Sequence, residues 1–130
     1  MIKFSIPLPP ISCSSNARGS WRRHAKHIKA YREISMVKCL QALGQMKGNV
    51  KPVVISTTWY MGPTYDPRYR PLDSTNANAA LKAAIDGFVD AGLVPNDSYK
   101  FVSLMPPTLF RSKKEHEGKA EIIVEVREAA

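Results

Sequence analysis

The stretch Ala77-Asn78-Ala79-Ala80-Leu81-Lys82-Ala83-Ala84-Ile85-Asp86-Gly87-Phe88-Val89 decides the fold class. Ala77, Ala80, Leu81, Ala84, Ile85, Phe88 and Val89 recur at three- and four-residue intervals, which line one side of a helix with apolar groups. Asp73 or Ser74 can cap its start and Gly92 its end. A helix apolar on one side needs a layer to cover, and the flanking sequence supplies strands.

Upstream, Pro52 to Tyr60 is rich in β-branched and aromatic residues and predicts a strand with a well-buried section. The segment from Met61 to Leu72, with Gly62, Pro63, Pro67 and Pro71, predicts a loop. Downstream, Lys100 to Met105 and Ala120 to Val126 read as two strands, joined through Pro106-Pro107 and the basic run Arg111-Ser112-Lys113-Lys114. Further out, residues 2–7 alternate as a short strand that Pro7, Pro9 and Pro10 stop. Ser12 to Lys29 is polar and basic without core periodicity and predicts a loop that is mobile without its ligand. From about Ala30 to Leu43, Ile34, Met36, Val37, Leu40 and Leu43 predict an amphipathic helix ended by Gly44 and Gly48. The order strand, helix, strand, helix, strand, strand implies one small α+β domain, a mixed sheet of about four strands with both helices on one face.

Length and charge narrow the partner. A chain of 130 residues holds one modest core, and nineteen Lys and Arg against eleven Asp and Glu leave a formal charge of +8. That balance favours a polyanion, with nucleic acid ahead of an anionic membrane surface. No stretch approaches the ~20 apolar residues of a bilayer helix, and the N-terminal residues lack the long apolar run of a signal peptide, so a cytoplasmic location is expected. Cys13 and Cys39 follow no metal-site spacing and read as free or buried thiols. His24 and His27 without further ligands nearby make a weak zinc site.

On a helical wheel Thr75, Lys82 and Asp86 point the same way, with Asn78 beside them, opposite the apolar face. The plain structural reading is a solvated stripe with a Lys82–Asp86 pair one turn apart, worth a few tenths of a kcal/mol. Asp73, just before the helix, and Asp97, in Pro95-Asn96-Asp97-Ser98 after it, have equally plain roles as cap and turn residue. The functional alternative is that the fold gathers these carboxylates around Mg²⁺ or Mn²⁺, hard ions that prefer oxygen. Phosphodiester hydrolysis uses such an ion, with a nearby lysine to stabilise charge on the phosphate.

The run from Asp73-Ser74-Thr75-Asn76 through Lys82 to Asp86-Gly87, followed by Ala91-Gly92-Leu93-Val94-Pro95-Asn96-Asp97, resembles the signature of the RusA family of Holliday junction resolvases, often carried by bacteriophages and prophages. The family pattern is an Asp-x-Asp-Asn start, a lysine along the helix, an Asp-Gly or Asp-Ala step, then Ala-Gly and a closing Asp. Pro7-Leu8-Pro9-Pro10, the Ser/Asn-rich stretch after it and Tyr31-Arg32 are similar to the family's N-terminal segment, so the resemblance covers most of the chain. It implies a Mg²⁺- or Mn²⁺-dependent endonuclease that resolves four-way DNA junctions by paired nicks and acts as a homodimer in a bacterial or phage-infected cell.

By the same resemblance Asp73 and Asp97 match metal-binding aspartates, Lys82 the catalytic lysine, Asp86 the helix aspartate and Asn76 the motif asparagine. Thr75 stands where the family has its second aspartate. A hydroxyl is a weaker ligand than a carboxylate, so metal affinity falls unless Asp86 or another acid compensates. A form of the motif with closer spacing puts Asn76 and Asn78 at the aspartate positions instead. The alternative is therefore a catalytically weakened RusA-like protein that binds branched DNA without efficient cleavage. Candidate phosphate contacts are Arg18, Arg22, Arg23, Lys26, Arg68, Arg70, Arg111, Lys113 and Lys114, with Trp21, Tyr65 or Tyr69 available to stack on an unpaired base.

Overall fold

The computed structural model describes residues 1–9, 21–44, 51–62, 81–111 and 120–129, with the backbone alone for 21–24. The chain runs β1 (Ile2–Pro7), α1 (Trp21–Leu43), β2 (Val53–Met61), α2 (Lys82–Asp90), β3 (Val102–Leu104), β4 (Thr108–Arg111) and β5 (Glu121–Glu128). These elements form an α+β domain. Its mixed sheet has the order β1-β5-β2-β3, with β4 also paired to β2.

Period-two alternation sets which side of the sheet is covered. In β2 Val53, Ile55, Thr57, Trp59 and Met61 are buried, and in β5 Ile122, Val124 and Val126 are. The antiparallel register places Ile55 opposite Val126, Thr57 opposite Val124 and Trp59 opposite Ile122, so the inner residues stack across the two strands. On the other side of β5, Ile2, Phe4 and Ile6 of β1 face Val126, Val124 and Ile122. Trp59 is fully buried at the centre, and its indole Nε1 donates to Thr57 Oγ1 at 3.3 Å, which accounts for a buried threonine in an apolar row. Both helices pack on this face and share one core with it.

The helix expected from about Ala30 begins at Trp21, so Arg22, Arg23 and Lys26 stand on a helix rather than in a loop. Nothing between Trp21 and Lys29 breaks a helix, and the exposed residues Lys26 to Ala30 need no apolar periodicity. The buried face also differs: Tyr31, Ser35, Cys39 and Leu43 are inside, at steps of four, while Ile34, Val37 and Leu40 are exposed. Tyr31 fixes this rotation, since its hydroxyl donates to Pro7 O at 2.6 Å. Cys39 is a free thiol, and burial pushes its pKa up to about 12; Cys13 lies outside the described residues.

β4 is a strand where only a connection was expected. β3 and β4 both run parallel to β2, as Val53↔Val102 through Ile55↔Leu104, then Thr58↔Thr108 through Met61↔Arg111. Between them Met105-Pro106-Pro107 stands opposite Ser56 and Thr57, an extra residue of the kind that makes an edge bulge. Proline lacks a donor N–H and belongs at such a place. Met105 N still donates to Ile55 O at 2.9 Å, which keeps the edge in register.

Parallel β2 and β3 require a crossover, and α2 lies within it. Leu81, Ala83, Ala84, Ile85, Gly87 and Phe88 are buried, and Phe88 meets Phe4 edge to face with centroids 5.3 Å apart. At Gly87 the two helices nearly touch. A Cβ there would lie 2.4 Å from Arg32 O and 2.9 Å from Met36 N. The glycine in the Asp86-Gly87 step is thus what the helix crossing requires.

Candidate active site

Because α2 turns its apolar face inward, Lys82 and Asp86 are left on its outer side, one turn apart. Lys82 Nζ donates to Asp86 Oδ1 at 2.8 Å and to a carboxylate oxygen of Asp97. The chain after α2 delivers Asp97 to this point. Gly92 takes a φ of +91°, which a side chain would oppose, and Leu93 N reaches back to Phe88 O at 3.1 Å. Leu93 and Val94 then anchor the loop in the core. Asn96 Oδ1 accepts from Ser98 N at 2.9 Å, and Ser98 O accepts from the backbone N–H groups of Phe101 and Val102 at the entry to β3. The turn-forming role open to Asp97 is filled by Asn96, and the Asp97 side chain reaches Lys82.

A second ion pair extends the cluster. Arg32 of α1 donates from Nε to Asp90 Oδ2 at 2.5 Å and from Nη2 to Asp90 Oδ1 at 2.8 Å, a two-pronged pair. Lys82, Asp86 and Asp90 follow one another at steps of four along α2, and Arg32 feels the charge of Asp86 as well as that of Asp90. Arg32 and Asp90 adjoin the site although the motif names neither as a site residue. Asp90 was visible as the next step of the polar stripe. The pairing with Arg32 spans 58 residues and left no local signal.

Electrostatics assign protonation states. Hydrogen bonds to Asp86 and Asp97 hold the Lys82 ammonium above its ordinary pKa, and Lys82 holds the Asp97 carboxyl below its ordinary range. At neutral pH Lys82 is thus an ammonium that can donate but cannot serve as a base. The side chains are open to solvent, 63% for Lys82 and 38% for Asp97, so the pair adds little to stability.

Two carboxylates from separate elements directed at one cation suit a hard divalent ion. Mg²⁺ is commonly held by one or two carboxylates, with water and substrate phosphate completing its shell. Among the described residues no group of three or more His, Cys, Asp or Glu side chains gathers at one place. Asp73, Thr75, Asn76 and Asn78 lie outside the described residues, as do Arg18, Arg68, Arg70, Lys113, Lys114, Tyr65 and Tyr69. Of the other basic candidates, Lys26 is exposed on α1, and Arg22 and Arg23 occupy its first turn. Arg111 is half-buried, and its Nη1 donates to Gly62 O at 3.0 Å, tying β4 to the end of β2.

The chain matches no protein-family model and no curated protein. Among the described residues no helix is long and apolar enough to cross a membrane.

Proposed function

We propose that this protein is a metal-dependent, structure-specific endonuclease of the RusA type that cuts four-way DNA junctions by paired nicks. One observation carries the reading: Asp86 and Asp97, four and fifteen residues from Lys82, both meet its Nζ. All three are motif positions. An exposed salt bridge of this kind contributes about 0–1 kcal/mol, so stability alone gives little reason for the loop after α2 to end on an aspartate here.

In this reading Asp86 and Asp97, together with Asp73 of the motif, hold Mg²⁺ or Mn²⁺. The bound ion supplies a more acidic water and offsets charge on the leaving oxygen. Asp86 takes the part that Thr75 leaves open as a carboxylate ligand. Lys82, protonated at neutral pH, donates to a non-bridging oxygen of the scissile phosphate as negative charge builds there. Exposed Lys26, with Arg22 and Arg23 on the same first turns of α1, offers sequence-independent phosphate contacts, in keeping with the formal charge of +8. A homodimer belongs to the proposal because paired nicks across a two-fold junction need two equivalent sites.

Thr75 favours one second reading, a junction-binding protein that has lost efficient cleavage. The Asp97→Asn variant bears on both. The nuclease reading expects Asp97→Asn to lose junction cleavage by more than about a hundredfold while the gel shift of the uncut junction persists. Retained cleavage would remove Asp97 from the site. Binding with no cleavage by either the wild type or the variant would favour the binding protein.

A further inference from the structure

We propose that Lys82 is a resident counter-cation for the Asp86–Asp97 pair, which gives up that position to a divalent ion and thereby frees its ammonium for the substrate phosphate. This inference rests on the reading of Asp86 and Asp97 as metal ligands. It concerns the order in which two cations use them.

Asp86 sits on α2 and Asp97 on the loop beyond it, and two like charges directed at one point repel unless a cation lies between them. Lys82 supplies that cation, reaching both carboxylates from a single nitrogen. Arg32, a second cation near Asp86 among the described residues, is engaged by Asp90 through two hydrogen bonds and so is held from taking the place of Lys82. Lys82 is also poorly tethered. Its side chain is 63% exposed, and its flexible stem lets the ammonium swing away at little cost. A divalent ion competes for the same oxygens with twice the charge and a stronger demand for carboxylate ligands. Lys82 would then be released beside the bound phosphate at the moment its charge is useful.

This makes an unusual demand on the lysine variants. If Lys82 merely held the two carboxylates in place, its loss would weaken metal binding. As a competitor, its loss strengthens it. The test is Mn²⁺ affinity of the purified protein without DNA, read from the free-Mn²⁺ electron paramagnetic resonance signal, for wild type, Lys82→Met and Lys82→Arg. Because the side chain is mostly exposed, both variants should fold, and circular dichroism checks this. The expected result is roughly fivefold tighter Mn²⁺ binding by Lys82→Met, with Lys82→Arg close to wild type and junction cleavage lost in Lys82→Met. Equal or weaker binding by Lys82→Met, with wild-type binding intact, overturns the competitor role and leaves the metal reading standing. Absence of Mn²⁺ binding in every variant overturns both.

Discussion

At Gly87 the main chains of α1 and α2 approach so closely that a single methyl group is excluded, since its carbon would fall 2.4 Å from Arg32 O and 2.9 Å from Met36 N. Both neighbours are backbone atoms and cannot swing aside. Gly87→Ala therefore forces the helices apart, at an overpacking cost of about 1–3 kcal/mol. Alanine is favoured over glycine inside a helix by only about 1 kcal/mol, so the loss prevails. Urea unfolding should show a lower midpoint at an unchanged slope. An unaltered or raised midpoint would mean that the crossing is looser than described. The same substitution displaces Asp86, the preceding residue, so under the proposed function junction cleavage should fall with stability.

The two helices are also joined by charge, and here pH is the handle. Arg32 holds the Asp90 carboxyl below its ordinary range. A carboxyl with a depressed folded-state pKa stabilises the protein above the unfolded-state value, near 3.9, and loses that contribution as pH falls through the folded value. Wild type should therefore be more stable than Asp90→Asn at pH 7, by a small margin because the pair is exposed. That margin should shrink as pH drops below about 4. Urea midpoints of both proteins at pH 7 and pH 3 check this, and a gap that stays constant would show that Asp90 acts through something other than its charge. β2, β5 and α2 were legible in the sequence because alternation and the three-four period stand out in Val53–Met61, Glu121–Glu128 and Leu81–Phe88. The orientation of α1 was not. Ile34, Val37 and Leu40 are more apolar than Ser35, yet the crossing at Gly87 and the bond from Tyr31 to Pro7 turn Ser35 inward. β4 was hidden because Pro106-Pro107 signals a break and four residues hold too little pattern. In the site, Lys82, Asp86 and Asp97 were nameable from the motif, whereas the Arg32–Asp90 clamp depends on a helix packing that one sequence does not reveal.

At the scale of the molecule, both helices cover one face of the sheet, and among the described residues no element covers the other. On that second face Tyr60 and Phe110 stack with centroids 5.6 Å apart and rings 13° from parallel, a cross-strand pair that joins β2 to the edge strand β4. The carboxylates and Lys82 gather instead on the outer side of α2 and the loop that follows it. Lys82 and Asp86 are thus carried by a helix that Phe88 and Gly87 pin to its neighbours, and the loop that follows brings Asp97 to them. The proposed function is that these groups, with a divalent ion, cut branched DNA. The most direct test is to incubate the purified protein with an end-labelled four-way junction and a matching linear duplex, in Mg²⁺, in Mn²⁺ and in chelator. Symmetrically paired nicks in the junction, dependent on the ion and absent from the duplex, are the predicted result. A junction that stays intact in both metals, or a duplex cut as readily as the junction, would contradict it.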